Sequence, residues 1–161
     1  MKNVSIVTNH IDTESWIAKA EKIGRIAEAE AFEADRNARF SDKVANAIKE
    51  SGLHKLLRPK QFGGMQVDLS TYAEIVRTVA WHSVPAAWLA YFYSMHEVWA
   101  AYLPEKGREE VLGHGGLLAD VVAPLGRVEK DGEGYRLFGQ WNFCSGVLWS
   151  DWVGLGALME L

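Results

Sequence analysis

The amino-acid sequence predicts an α+β chain in which a helical domain, residues 1–115, precedes the beginning of a β-domain, residues 116–161. Three observations lead to this prediction. Up to Gly115, apolar residues recur at spacings of three and four, which is the period of a helix that buries one face. After Gly116, the chain changes to short apolar runs and alternating patterns, which are typical of strands. Clusters of proline and glycine separate the elements.

Two amphipathic helices are predicted in the first third of the chain. Asp12 or Thr13 can cap the first helix, because a side-chain oxygen there can accept a hydrogen bond from a backbone N–H group of the first turn. Ser41 can cap the second helix, and Gly52 should end it. The apolar positions of the first helix are Trp16, Ile17, Ala20, Ile23, Ala27 and Ala31.

A connecting loop and a third helix follow. Pro59 and the Gly63–Gly64 pair interrupt helical structure in the segment RPKQFGG. Thr71 and Glu74 have the spacing of a capping box, in which each side chain bonds the other residue's backbone N–H group. This spacing predicts a third helix over Tyr72–Trp81.

The most apolar part of the chain, Ser83–Leu103, predicts a long buried helix. Its length would suffice to span a bilayer. However, the segment is rich in Ala, Tyr and Trp, and His96 and Glu97 lie away from its ends, which is costly in lipid. We therefore expect a fully buried helix of a globular domain, and no membrane partner. Pro85 suits its first turn, and Pro104 should end it and begin a short charged helix.

Three or four strands are predicted after the helices. The run LLADVVAP is apolar with β-branched residues, and GRVEKDGEGYRLFGQW reads as a hairpin that turns at Asp131–Gly134. The segment DWVGLGALMEL predicts a further strand. A sheet of three or four strands has exposed edges, so we expect the chain to be a fragment or a truncation, or to borrow structure from a partner.

Composition excludes several classes of protein. The formal net charge is −4 and no basic block is present, which argues against a nucleic-acid partner. The single cysteine, Cys144, excludes an internal disulfide. The N-terminus has no apolar signal segment, and we expect a cytoplasmic protein. The five histidines are scattered without ligand spacing, so no metal site is predicted.

Four segments in order carry a resemblance to a known family. They are RPKQFGG, AAWLAYFYSMHE, APLGRVEKDGEGYRLFGQW and WNFCSG. With them the chain resembles the acyl-CoA dehydrogenase superfamily, and within it the oxygenase components of two-component flavin-dependent monooxygenases for 4-hydroxyphenylacetate, a phenolic secosteroid and dibenzothiophene. The resemblance implies a helical N-terminal domain, an antiparallel β-barrel-like middle domain, of which this chain holds the beginning, and a homotetramer.

The resemblance also implies an activity. Such an oxygenase takes reduced FMN (or FAD) from a separate flavin reductase, forms a flavin hydroperoxide with oxygen, and hydroxylates a small aromatic substrate. Two alternatives stay open. The chain could belong to an acyl-CoA dehydrogenase that oxidises a CoA thioester with FAD, or it could be a truncated remnant without catalytic function.

The segment LFGQWNFCSGVLWSDWVGLGA has two interpretations. By resemblance, Ser145 is catalytic and hydrogen-bonds the reactive ring nitrogen of the flavin, and Trp141, Phe143 and Cys144 belong to the same cofactor-binding segment. Trp141 and Phe143 would share one face of a strand, because alternate residues do so. The alternative is that Ser145 is a turn serine before Gly146, that the rings are sheet core, and that Cys144 only fills space.

One helical stripe carries the other candidate residues. Trp88, Phe92 and His96 are spaced by four and share a helix face. By resemblance, Trp88 lies beside the flavin, and His96 faces a phenolic substrate as hydrogen-bond partner or general base. The alternative for His96 is a core histidine bonded to a carbonyl or to Glu97. Asp120 is a candidate substrate-binding residue by resemblance, and otherwise a carboxylate at a strand edge.

One position departs from the family pattern. The monooxygenases often carry a histidine shortly after Ser-Gly, whereas this chain has Trp149 there. The departure leaves room for an aromatic or heteroaromatic substrate other than a phenol.

Overall fold

The computed structural model describes residues 12–159. Residues 1–11, in which no signal segment is predicted, lie outside the described residues. The last two residues of the final predicted strand also lie outside them. The described part contains six α-helices: α1 Thr13–Ala29, α2 Ala31–Asn37, α3 Asp42–Ser51, α4 Leu69–His82, α5 Val84–Ala100 and α6 Glu105–Gly113. It also contains three strands: β1 Leu118–Asp131, β2 Gly134–Phe138 and β3 Trp152–Met159. The predicted α+β fold class is confirmed.

Several helix ends lie where the sequence predicts them. The Asp12 carboxylate accepts from Ser15 N at 3.2 Å, and the Ser41 hydroxyl accepts from Lys43 N at 3.2 Å. Gly52 ends α3 with φ of 76°, a conformation that glycine adopts without steric cost. Capping chemistry is local, which is why it can be read from the sequence.

Two helix predictions need correction. Ala31 does not belong to the first helix: the chain breaks at Glu30, and Ala31 begins the short helix α2, which was not predicted. The third helix begins at Leu69 rather than Tyr72. Asp68 caps it, because its Oδ1 accepts from the backbone N–H groups of the next turn at 3.0 Å. The prediction that Thr71 and Glu74 form a capping box is therefore wrong.

The helices enclose a main apolar core around α5, and a smaller apolar cluster lies at the end of α5. Tyr93 and Ala90 on this helix are buried, and they belong to the same cluster as residues of α1, α3 and α4. Among the other helices, the fully buried members include Ile23, Val44, Ile48, Ile75 and Val79. The long apolar helix is thus buried along one face, but the prediction that it is fully buried is wrong, because Val84, Trp88 and Tyr91 are exposed. No helix within residues 12–159 is long and apolar enough to cross a membrane.

A buried ion pair fixes the loop after α3 against the helices. The Arg58 guanidinium makes two hydrogen bonds to the Glu97 carboxylate on α5, one of them at 2.7 Å from Nη2 to Oε1. It also donates to the carbonyl of Leu112 on α6 at 3.0 Å. Both charged side chains are almost completely buried, so each depends on the other for compensation of its lost hydration.

The strands form a small mixed sheet of order β2-β1-β3. β1 and β2 make the predicted antiparallel hairpin, in which Asp131 pairs with Gly134. β3 runs parallel to β1, from the pair Leu118–Trp152 onward. The sequence predicts an antiparallel sheet. This prediction is correct for β1 with β2 and wrong for β1 with β3. The reason is the connection after β2, residues 139–151, which returns the chain to the beginning of β1.

The change from helix to strand falls between Gly113 and Leu118. The division of the chain into two domains at residues 115 and 116 stays a prediction.

Candidate functional site

The candidate residues meet where α5 contacts β1 and the segment 139–149. The indole Nε1 of Trp88, on α5, donates a hydrogen bond to Ser145 Oγ at 3.0 Å. Tyr93, one turn further along the helix, donates from its hydroxyl to the carbonyl of Gly146 at 2.7 Å. These two bonds attach the WNFCSG segment to the helix that carries His96.

The predicted stripe on α5 is present. The ring centroids of Trp88 and Phe92 are 4.7 Å apart, and those of Phe92 and His96 are 5.3 Å apart. Exposure falls along the stripe, from 55% for Trp88 to 3% for His96. The three rings therefore run from the surface into the protein interior.

Two groups of β1 lie beside the His96 ring. Its Nδ1 lies 2.6 Å from the carbonyl oxygen of Leu118, and its Nε2 lies 3.1 Å from Asp120 Oδ1. The predicted alternative, a bond to a neighbouring carbonyl, is correct for Nδ1. A bond to Glu97 is not present, since that carboxylate is taken by Arg58.

Asp120 lies in the central strand of the sheet rather than at a strand edge, and its side chain is 12% exposed. The indole of Trp99, also on α5, donates to Asp120 Oδ2 at 2.6 Å. The contact of Asp120 with His96 joins residues 24 positions apart, so no spacing rule could have revealed it. The role of Trp99 was likewise missed.

Ser145 precedes a tight turn. Gly146 has φ of 83°, and a Cβ atom at that position would lie 2.5 Å from the hydroxyl oxygen of Tyr93. Burial raises the pKa of Tyr93 to about 12, so its hydroxyl remains a donor at neutral pH. The turn interpretation of Ser-Gly is thus correct for the backbone, and the serine hydroxyl has a specific partner as well.

Trp141 and Phe143 do not share a strand face, so this prediction is wrong. β2 ends at Phe138, and Phe143 has φ of 59°, which breaks the alternation of side chains. The Trp141 ring packs over Gly126 and Gly139, and its indole donates to the carbonyl of Gly156 at 2.8 Å. The Phe143 ring, by contrast, is 98% exposed. Trp141 therefore has a packing role, whereas the Phe143 ring projects outward.

Cys144 is half-buried beside these groups. Burial raises the pKa of its thiol, and the negative charge of Asp120 adds to the increase. The side chain is therefore a neutral thiol at neutral pH, which supports its interpretation as a packing residue rather than a nucleophile.

A cavity of about 920 Å³ adjoins the site. Trp88, Cys144 and Trp149 line one side of it, and Arg39 and Phe40 line the other. The cavity does not reach His96 or Asp120. Sequence reasoning missed it because one wall comes from the unpredicted helix α2. Trp149 fixes the nearby turn by donating to Asp42 Oδ1 at 2.9 Å.

Within residues 12–159, no group of three His, Cys, Asp or Glu side chains is placed to hold a metal ion. Two histidine–carboxylate contacts that the sequence did not predict occur there, His96 with Asp120 and His82 with Glu28.

Comparison with known proteins found relatives named as a hydroxylase and monooxygenases. A pigment production hydroxylase of Rhodococcus erythropolis is 32% identical over 86% of this chain and 36% of its own length. An indole-3-acetate monooxygenase of Pseudomonas putida is 30% identical over 77% of this chain and 32% of its own length. The structure of XiaF from a Streptomyces species, in complex with FADH2 and glycerol, superposes with a TM-score of 0.85 at 28% identity, over 91% of this chain and 38% of that protein.

Residues 18–112 match the family described as acyl-CoA dehydrogenase, N-terminal domain, and the chain belongs to this family. The resemblance predicted from the four sequence segments is confirmed. The chain spans about a third of the length of the curated relatives that it matches.

Proposed function

We propose that this chain forms the N-terminal, flavin-facing part of the oxygenase component of a two-component monooxygenase that hydroxylates an aromatic substrate. One observation carries the proposal. The hydrogen bond from Trp88 to Ser145 joins the two segments that, by resemblance, contact the flavin. The similarity to a pigment production hydroxylase and an indole-3-acetate monooxygenase supports the same reaction class.

The side chains around Ser145 fit a flat aromatic cofactor. The Ser145 oxygen accepts from Trp88, and no described residue accepts the serine proton, so the hydroxyl can donate to a ring nitrogen. The exposed Phe143 ring and the half-exposed Trp88 ring offer apolar faces for stacking. Cys144 supplies a small neutral neighbour. Reduced FMN or FAD bound here would supply electrons and activate oxygen.

Each residue has a proposed task toward this cofactor. Ser145 hydrogen-bonds the ring, and Trp88 orients the serine hydroxyl so that its proton points away from the indole. Phe143 excludes water, which matters because oxygen-activating flavin chemistry requires a dry site. Trp141 acts indirectly, because it anchors the segment 139–144 to Gly156 of β3.

His96 and Asp120 are proposed to face the substrate. His96 lies further along the same stripe of α5, separated from Trp88 by the Phe92 ring, and Asp120 on β1 lies beside its imidazole. An imidazole suits proton transfer or hydrogen bonding near neutral pH. His96 would act as hydrogen-bond partner or general base to an aromatic or heteroaromatic substrate.

The wider setting of the enzyme is also part of the proposal. A separate reductase would supply the reduced flavin, the oxygenase would be a homotetramer, and the protein would be cytoplasmic. The two-component relatives support the reductase, since they include proteins named as oxygenase subunit or oxygenase component.

Anaerobic calorimetric titration of the chain with reduced FMN, and separately with reduced FAD, tests the proposal. We expect saturable binding of at least one of them, and the tighter ligand identifies the flavin. Binding of neither by a chain that circular dichroism shows to be folded would contradict the proposal and favour a remnant without catalytic function. Turnover of an acyl-CoA thioester with an electron acceptor would instead favour a dehydrogenase.

A further inference from the structure

The turn that carries Ser145 is attached to the helices on two sides. On one side, α5 reaches it through the hydrogen bonds of Trp88 and Tyr93. On the other side, the indole Nε1 of Trp149 donates to Asp42 Oδ1 at 2.9 Å, and Asp42 is the first residue of α3. The proposed flavin site uses only the α5 side of this attachment.

Asp42 is held in place by the beginning of α3. Ser41 caps this helix, and a carboxylate in the first turn is favoured by the partial positive charge of the helix N-terminus. A guanidinium nitrogen of Arg39 lies 3.6 Å from Asp42 Oδ1, and the guanidinium carbon lies 5.9 Å from the centre of the Trp149 ring. Arg39, Asp42 and Trp149 thus contact one another in pairs, and we call them the Trp149 cluster.

A continuous set of hydrogen bonds leads from this cluster to Ser145. The backbone N–H group of Trp149 donates to the carbonyl of Gly146 at 3.1 Å, at the end of the short 3₁₀ helix Val147–Trp149. The same carbonyl accepts a hydrogen bond from α5 at 2.7 Å. The N–H group of Val147 donates to the carbonyl of Cys144 at 3.2 Å. The two residues that flank Ser145 are therefore fixed from both α3 and α5.

The exposure of these groups separates positioning from stability. The side chain of Asp42 is 73% exposed, so its contacts compete with water and add little to the stability of the fold. Gly146, by contrast, is buried beneath the turn. An exposed contact of this kind can direct the turn without being needed for folding.

We propose that Trp149 and Asp42 are positioning residues for Ser145. The Trp149 cluster fixes the turn from the α3 side, so that the Ser145 oxygen lies within hydrogen-bond distance of the Trp88 indole. The consequence for the cofactor rests on the proposed function. If Ser145 hydrogen-bonds the flavin ring, Asp42 influences flavin affinity through Ser145 rather than by contact with the flavin.

Nuclear magnetic resonance of the chain labelled with ¹⁵N-tryptophan tests the positioning without flavin. The indole N–H signals of Trp88 and Trp149 are assigned by their loss in Trp88→Phe and Trp149→Phe. Asp42→Ala removes the acceptor of the Trp149 indole, and we expect the Trp88 signal to move toward its position in Ser145→Ala. The Trp141 indole, which donates to a carbonyl of β3, is an internal reference whose signal should stay in place. An unmoved Trp88 signal in a folded Asp42→Ala chain would overturn the proposal.

Three further variants show whether the hydrogen bond is responsible. Asp42→Asn keeps an acceptor oxygen without the charge, so the Trp88 signal should remain close to its wild-type position. Trp149→Phe keeps a ring without the N–H group and should move the Trp88 signal as Asp42→Ala does. Asp131→Ala removes another exposed carboxylate that is paired with an arginine, and as the matched control it should leave the signal unchanged.

These variants also keep the proposal testable if Asp42→Ala does not fold. Trp149→Phe then decides by the same criterion, since an unmoved Trp88 signal in that folded chain would overturn the proposal. Equal displacement of the signal by Asp42→Asn and Asp42→Ala would contradict the assignment of the effect to the hydrogen bond.

Binding of reduced FMN, or of reduced FAD if it binds more tightly, gives a second readout. In an anaerobic titration, Asp42→Ala should weaken binding by about three- to tenfold, which is the effect of one hydrogen bond. Because Asp42 acts through Ser145, the same change in a Ser145→Ala chain should add no further loss. A further loss of the same size in that chain would show that Asp42 acts independently of Ser145, against the proposal.

The resonance experiment is independent of flavin binding. If reduced flavin binds but Asp42→Ala leaves the Trp88 signal unmoved, the proposed function stands and this inference fails. If the signal moves and neither flavin binds, the positioning of Ser145 stands and the proposed function fails.

Discussion

The helical part of the chain and its three-stranded sheet differ in how they bury apolar side chains. In the helices, residues such as Ile75 have no solvent exposure and belong to the main apolar core. In the sheet, every residue of β2 is exposed, and Leu158 of β3 is 64% exposed. The comparison indicates that stability resides in the helices, whereas the sheet is attached to them by a few specific contacts.

Polar contacts along one seam, between α5 and β1 with the segment 139–149, add to the apolar packing of Leu118 and Trp152 against the helices. Trp88 bonds Ser145, Tyr93 bonds Gly146, and His96 bonds the Leu118 carbonyl. The candidate site therefore uses the same hydrogen bonds that attach the sheet to α5. Changes in the core should alter stability, and changes at the seam should alter binding.

The largest effect is expected from breaking the buried ion pair. Arg58→Met leaves the Glu97 carboxylate buried without a partner, and we expect a loss of about 3–5 kcal/mol in the free energy of unfolding, measured by urea denaturation. Arg136→Ala, which breaks the exposed Arg136–Asp131 pair of the hairpin, should cost less than about 1 kcal/mol. Equal losses of stability in the two variants would contradict the view that the helices contribute more stability than the sheet.

Shortening an apolar side chain should give the same contrast. Ile75→Ala creates a cavity in the helical core and should cost about 2–5 kcal/mol. Leu158→Ala removes a side chain that is already mostly exposed, and its effect should stay within about 1 kcal/mol. Thermal and urea unfolding of the two variants measure the difference. A larger loss for Leu158→Ala would show that the sheet contributes more than its burial indicates.

The pH dependence of stability should also originate in the helical part of the chain, at His54 in the loop after α3. Burial, with the nearby charges of Lys55 and Arg58, lowers the pKa of His54 to about 4, whereas an unfolded histidine titrates near 6.5. Between these values the unfolded chain binds the extra proton, so stability is full above about pH 6.5 and falls as the pH decreases toward 4, by roughly 3 kcal/mol at most.

The variant His54→Leu checks this assignment. It should remove most of the slope between pH 6.5 and 4, as measured by urea denaturation at a series of pH values. An unchanged slope would mean that another group causes it. The exposed His114 provides the control, since His114→Leu should leave the slope as it is.

A smaller effect is expected at the seam. Gly146→Ala places a Cβ atom 2.5 Å from the Tyr93 hydroxyl oxygen at a φ of 83°, and should cost about 1–3 kcal/mol. Gly132→Ala also has a positive φ, but no atom lies within 4 Å, so only the backbone cost of roughly 1 kcal/mol should appear. The difference between the two variants isolates the contact with Tyr93. Identical losses would show that this contact does not hold the turn.

The helices were predictable because their signals are local. Apolar spacing and caps such as Ser41 place α1, α3 and α5 within a few residues, and the spacing of Trp88, Phe92 and His96 predicts their common face. The short helix α2 was missed because it buries no residue completely and so leaves no strong apolar pattern.

The parts that were not predicted depend on distant contacts. The parallel pairing of β3 with β1 follows from the path of residues 139–151, which no local pattern encodes. The contact between His96 and Asp120 arises only when α5 packs on β1. The positive φ of Phe143 contradicts the alternation expected of a strand, and non-glycine residues rarely adopt it.

The central claim is that the Trp88–Ser145 hydrogen bond forms part of a flavin site. The most direct test is a double-mutant cycle, in which the Kd for reduced FMN is measured for the wild-type chain, Ser145→Ala, Trp88→Phe and the double variant. We expect each single change to weaken binding by about tenfold, and the double change to weaken it by less than the product of the two, since one hydrogen bond is worth about 1 kcal/mol. Trp81→Phe, a change of an exposed tryptophan on α4, should leave the Kd unaltered. Equal affinity of all variants for reduced FMN, or the absence of binding by the folded wild-type chain, would contradict the claim.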